Sequence, residues 1–81
     1  MPIYGYQRDD EDATQPMVLS EVTFHFSPVE LRRVARFLVA RAEEIEGGKF
    51  TEGGRHLGLE DKTWDAKTAG DVIVVPPSAI S

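Results

Sequence analysis

The sequence predicts an α+β domain, a two-layer sandwich in which one long helix packs on one face of a small sheet. Two adjacent patterns indicate this fold: residues 17–26 end in the alternation of a half-buried strand, and residues 28–46 repeat apolar residues at helical spacing. Apolar runs on either side of this pair supply further strands. The expected order is therefore β-β-α-β-β, with three to four strands in the sheet.

The strand before the helix is predicted from side-chain alternation. Val22, Phe24 and Phe26 are expected on one side of the backbone, and Thr23 and His25 on the other. The apolar side is expected to face the helix, so the polar side belongs to the opposite face of the sheet.

The helix has clear start and stop signals. Ser27 and Glu30 have the spacing of a capping box, and Pro28 stands at the first helical position, where its missing N–H costs nothing. Gly47 and Gly48 are expected to end the helix. The stripe predicted to cover the sheet consists of Leu31, Val34, Ala35, Leu38, Ala42 and Ile45.

The charges of this helix run opposite to its macrodipole, with basic residues near its start and acidic residues at its end. This arrangement allows two interpretations, a basic patch for an acidic partner or a solvated helix face. The charged residues are Arg32, Arg33, Arg36, Glu43, Glu44 and Glu46.

The remaining strands are predicted at residues 2–6, 55–60 and 71–75. Leu57 and Leu59 are expected to point inward. The last two strands are expected to form an antiparallel hairpin, and the connection through the helix permits a right-handed parallel crossover between the second and third strands.

Length and composition indicate one domain of 81 residues, with an arm at 1–16 that carries an acidic run, a core at 17–77 and a tail at 78–81. The chain has no cysteine, and it shows neither a membrane-length apolar run nor a signal peptide, so we expect a cytoplasmic protein. The net charge of −5 argues against nucleic-acid binding. No cofactor is expected.

One helix covers only one face of a sheet, so the opposite face is the predicted working surface. An exposed tryptophan between carboxylates in the following loop would be a plausible anchor for a partner. Two alternatives stay open: the N-terminal arm with Tyr4 and Tyr6 covers this face, and the tryptophan packs on the edge of the core. The candidate interface residues are Thr23, His25, His56, Glu60, Asp61, Trp64 and Asp65.

An enzyme or metal site using His25 and His56 is the least favoured interpretation. Imidazole is a good zinc ligand and titrates near neutral pH, but the chain has no His-Glu-x-x-His spacing and no Gly-x-Ser-x-Gly motif. We therefore predict no catalytic residue, no metal ligand and no enzymatic activity.

The order of elements resembles small bacterial immunity proteins of polymorphic toxin systems. The resemblance lies in the helix core at residues 31–38, the run Gly-Arg-His-Leu-Gly-Leu-Glu-Asp at residues 54–61 and the final apolar strand at 71–75. It covers about residues 21–76, mostly core positions, and the N-terminal arm has no counterpart. The resemblance implies a stoichiometric binder that blocks a partner toxin.

The function predicted from the sequence is a non-enzymatic, cytoplasmic protein-binding module, an immunity-type inhibitor whose partner is a basic toxin. The alternative is a homo-oligomeric structural module, with the uncovered sheet face as the interface of a homodimer. Neither hypothesis involves nucleic acid or a membrane.

Overall fold

A computed structural model describes residues 2–6 and 16–77 of the chain. They form a small α+β domain with one main helix and two small antiparallel sheets. The predicted acidic run at residues 9–12 and the tail at 78–81 lie outside the described residues. The elements are β1 (Ile3–Gly5), β2 (Met17–Leu19), α1 (Pro28–Glu46), β3 (Arg55–His56), α2 (Leu57–Glu60), α3 (Ala66–Ala69) and β4 (Ile73–Val74).

The strands pair in two separate sheets, so the single sheet of the predicted sandwich is not confirmed. In the first sheet β1 pairs with β2, with Tyr4 opposite Val18. In the second sheet β3 pairs with β4, with His56 opposite Ile73. The antiparallel pairing predicted for the last two strands is confirmed, but α2 and α3 lie between them, so they do not form a simple hairpin. The parallel crossover is absent from the described residues, because β2 and β3 lie in different sheets.

The strand predicted at residues 17–26 ends at Leu19. Beyond it, Val22 and Phe24 are 51% and 44% exposed, and only Phe26 is partly buried against the core. The rings of Phe24 and Phe26 stack with centroids 5.1 Å apart, as side chains two residues apart on one side of the chain can do. Alternation alone does not make a strand, since residues 21–26 find no ladder partner in the described structure.

The capping box of α1 is confirmed. The Ser27 hydroxyl accepts a hydrogen bond from the Glu30 amide at 3.2 Å, and the Glu30 carboxylate accepts one from the Ser27 amide at 2.7 Å. Pro28 occupies the first turn. At the other end, the Gly47 amide donates to the Glu43 carbonyl, and Gly48 adopts a φ of 71°, which favours glycine. The predicted start and end of the helix are therefore correct.

The buried face of α1 differs from the predicted stripe. Val34, Phe37 and Arg41 are buried, whereas Leu31 and Leu38 are 45% and 43% exposed. The helix is apolar on two adjacent faces, and the face that carries the Phe37 ring packs in the core. The predicted stripe is wrong except at Val34 and, in part, at Ile45, which is half-buried.

The core lies where α1 meets α2, α3 and β4. It is built by four buried side chains and by partly buried apolar side chains packed on them. The buried residues are Val34, Phe37, Leu57 and Trp64, and those packed on them are Phe26, Ala66, Ala69, Val72 and Val74.

The strand predicted at residues 55–60 is wrong beyond His56, since the chain turns into α2 there. The Asp61 amide donates to the Leu57 carbonyl at 2.9 Å, which closes one helical turn. This turn places Leu57 in the core and leaves Leu59 75% exposed. The two leucines therefore do not share one face, as the strand prediction required.

Candidate functional site

The seven predicted interface residues do not share one surface. Because the described strands form two separate sheets, the uncovered face of the predicted single sheet is not present among the described residues. Thr23 and His25 line one groove, whereas Glu60 and Asp61 line another. The three remaining side chains, those of His56, Trp64 and Asp65, make contacts within the fold.

The larger groove, of about 500 Å³, lies between residues 22–26 and the segment from α3 to β4. Phe26 and Val72 supply apolar lining, and Glu30 and Asp71 supply carboxylates. This groove contains two of the predicted residues, Thr23 and His25, in a setting that combines apolar and acidic groups.

One wall of this groove is a segment whose backbone groups lack partners. No backbone N–H or carbonyl of residues 21–26 makes a hydrogen bond to any other described residue. Together with the exposed Val22 and Phe24 side chains, this leaves an unpaired segment next to an apolar groove. Such a segment can accept a strand from another chain.

Asp71 organises the opposite wall. Its carboxylate accepts hydrogen bonds from the amide of Gly58 at 2.8 Å and from its neighbour Val72 at 2.9 Å. The second carboxylate oxygen lies 3.2 Å from Nδ1 of His56. His56 is therefore held by a contact within the fold. The sequence pattern does not predict this contact, because it places Asp71 at the start of a strand.

Glu60 and Asp61 lie in a smaller groove beside α1, which is lined by arginines. Arg41 Nη1 pairs with the Glu60 carboxylate, and Arg33 Nε lies 3.9 Å from that of Asp61. The pKa of Asp61 is lowered chiefly by the hydroxyl of Thr63, which donates to its carboxylate, and less by the nearby arginines. These two predicted acids thus hold α2 against α1.

Arg41 is the least exposed charged side chain in the described structure. Its Nε lies 2.7 Å from Oε1 of Glu44, an ion pair whose angles are not those of a hydrogen bond. Its guanidinium also lies 4.9 Å from the centroid of the Phe37 ring. The spacing of Arg41 from Val34 and Phe37 indicates a buried position. The predicted apolar stripe omits Arg41 because charged side chains are rarely buried.

Trp64 is buried, so the predicted exposed anchor is wrong and the open alternative of packing on the core is confirmed. Its indole N–H donates to the Gly70 carbonyl at 2.9 Å, and its ring meets Phe26 edge to face at 5.3 Å. A buried tryptophan needs such a partner for its N–H.

Asp65 caps the short helix α3. Its carboxylate accepts hydrogen bonds from the amide of Lys67 at 3.1 Å and from the hydroxyl of Thr68 at 2.8 Å. The Thr68 hydroxyl is the main reason that the pKa of Asp65 lies below the ordinary value of an aspartate. The side chain thus has a structural role at the start of α3.

Two further observations bear on the kind of protein. Within residues 2–6 and 16–77, no group of three or more histidine, aspartate or glutamate side chains is placed to hold a metal ion. In the same part of the chain, no helix is long and apolar enough to cross a membrane.

No protein-family profile, curated protein or solved structure matches this chain.

Proposed function

We propose that this chain is a small protein-binding module that accepts a segment of its partner along residues 21–26. The observation that supports the proposal is the set of unpaired backbone groups in this segment, next to the exposed side chains of Val22 and Phe24. A bound strand would satisfy these backbone groups, and its side chains would enter the adjoining groove.

The charge of the chain favours a basic partner. The net charge is −5, and Glu30 and Asp71 line the groove beside the segment. Carboxylates of this kind speed the association of a basic partner and discriminate against acidic ones. Thr23 and His25, the two predicted residues on this wall, would contact the bound segment.

The partner that we propose is a toxin of the same cell, and the chain is its stoichiometric, non-enzymatic inhibitor in the cytoplasm. Support comes from the resemblance of residues 21–76 to immunity proteins of toxin systems and from the acidic groove. Inhibition of this kind needs a complementary surface and no catalytic group, because the complex itself blocks the toxin.

The experiment tests, as the toxin candidate, the product of the gene that neighbours the one for this chain. Co-expression of the whole chain should restore growth to cells that produce the toxin, and both proteins should co-purify at low salt. Phe24→Asp should abolish both effects, because it places a charge in the groove. The matched control is Leu59→Asp, which adds the same charge at an exposed site outside the groove.

A second variant tests the backbone contact. Thr23→Pro removes one N–H from the segment without removing an apolar side chain, so it should weaken the complex if a strand binds there. Equal growth rescue by the wild type, Phe24→Asp and Thr23→Pro would refute this binding surface. Absence of any complex with the neighbouring gene product would refute the immunity-type assignment.

A further inference from the structure

The side of α1 that faces away from the core carries a regular apolar row, which we call the outer seam. Its members follow one another at alternating intervals of four and three residues, the spacing of about two heptads. All but the last are exposed, and the last is half-buried. The outer seam consists of Leu31, Ala35, Leu38, Ala42 and Ile45.

Large and small side chains alternate along the outer seam. In a parallel pair of identical helices, Leu38 would meet Leu38 and Ala35 would meet Ala35, which leaves gaps at the alanine layers. In an antiparallel pair the two heptad positions face each other, so Leu38 of one copy meets Ala42 of the other and Ile45 meets Ala35, and these central layers fill evenly. A shallow groove of about 380 Å³ beside Ala35 and Val39 has room for such a side chain.

Charged residues beside the outer seam are also complementary when the two helices are antiparallel. Arg32, Val39 and Glu46 follow at intervals of seven residues. An antiparallel pairing centred on Val39 places Arg32 of one copy beside Glu46 of the other, and the reverse at the far end. Neither charge has an ion-pair partner among the described residues.

We infer that two copies of this chain associate through their outer seams, with the two α1 helices antiparallel. This arrangement explains why α1 has basic residues near its start and acidic residues at its end. That order is unfavourable in a single helix, but antiparallel pairing sets the basic half of each helix against the acidic half of the other. The inference concerns a surface other than the proposed partner-binding segment and goes beyond that function.

The dimer should be weak, because one pair of short helices buries less area than a standard stable interface of about 1,600 Å². We therefore expect a dissociation constant on the order of micromolar. Sedimentation equilibrium of the full chain between about 1 µM and about 1 mM should show a reversible change from monomer to dimer. A monomer throughout this range would overturn the inference.

Leu38→Glu locates the interface, since it places a charge in the middle of the outer seam at a site that is exposed in the monomer. It should raise the dissociation constant by about tenfold or more. Leu59→Glu is the matched control and should leave the dimer intact. A dimer that persists in Leu38→Glu, or that is lost in the groove variant Phe24→Asp, would refute this interface.

Charge reversal tests the orientation. Arg32→Glu should weaken the dimer by several-fold, because it creates two repulsive contacts with Glu46. The double variant Arg32→Glu with Glu46→Arg should restore wild-type affinity, since each copy again opposes unlike charges. Both sites are exposed, so circular dichroism should show an unchanged fold. Failure of the second substitution to restore affinity would refute the antiparallel register.

Discussion

The indole N–H of Trp64 donates a 2.9 Å hydrogen bond to the carbonyl oxygen of Gly70. This bond closes the loop that contains α3 over the core, and Gly70 adopts a φ of 83° at its end. The ring itself packs edge to face on Phe26, which joins the loop to the segment before α1. One side chain thus connects three parts of the chain.

Trp64→Phe should lower the free energy of unfolding by about 2–3 kcal/mol, because it leaves the Gly70 carbonyl without its partner and opens a small cavity. Urea denaturation followed by far-UV circular dichroism would measure this loss. Tyr6→Phe, at a side chain that is 63% exposed, is the control and should change stability by less than about 0.5 kcal/mol. A similar effect of both substitutions would contradict the role of this hydrogen bond.

Asp71→Ala should destabilise the fold by about 1–3 kcal/mol, since the amides of Gly58 and Val72 lose their acceptor. Asp71→Asn should cost less, because the amide oxygen can still accept from both N–H groups. Thermal denaturation of the two variants, with the exposed Glu52→Ala as control, would rank them. Equal losses would mean that the charge opposite His56 matters more than the acceptor.

Arg41→Met should lower the free energy of unfolding by about 1–3 kcal/mol, because it leaves Glu44 and Glu60 without their cation while keeping the apolar stem. The estimate is modest because both glutamates are partly exposed. The free energy of unfolding of Arg41→Lys should lie between those of the wild type and Arg41→Met. A lysine ammonium group lacks the planar guanidinium that contacts both carboxylates. Lys49→Met, at an exposed site just after the same helix, should be near neutral.

Stability should fall in acid partly through Asp65. Its pKa is lowered in the folded state by the Thr68 hydroxyl, so the unfolded chain binds a proton more readily. The contribution of the Asp65 carboxylate to the free energy of unfolding is therefore complete above the ordinary aspartate range near pH 4. It is lost as the pH falls through the folded-state pKa of Asp65. Urea denaturation between pH 7 and about pH 2 should show a smaller acid loss in Asp65→Asn than in wild type. An identical pH dependence would exclude this contribution.

Local signals predicted the main helix well. Ser27, Pro28, Glu30 and Gly47 each act within one turn of the helix end that they define, so their effect does not depend on the rest of the fold. The antiparallel pairing of β3 and β4 also agrees with the prediction, although α2 and α3 lie between the two strands in sequence. The α+β class follows from these two elements.

The pairing of segments that are far apart in sequence could not be predicted from local signals. Residues 21–26 have the alternation of a strand, but a ladder needs a partner, and sequence periodicity does not say whether one is present. The outer seam is as regular as a core-facing stripe, so periodicity alone could not distinguish it from the face with Phe37 and Arg41. The seven predicted site residues do not share one sheet face for the same reason, since Thr23 lies outside the sheet that contains His56.

The hairpin of β1 and β2 has consequences for cooperativity. Its residues Ile3, Tyr4, Met17 and Val18 are all more than two-fifths exposed, and none belongs to the core cluster. Opening this hairpin exposes little additional apolar surface, so its free energy of opening should be well below that of the whole domain. Its amide protons should therefore exchange with solvent by local opening, whereas those in the middle of α1 should exchange only when the whole domain unfolds.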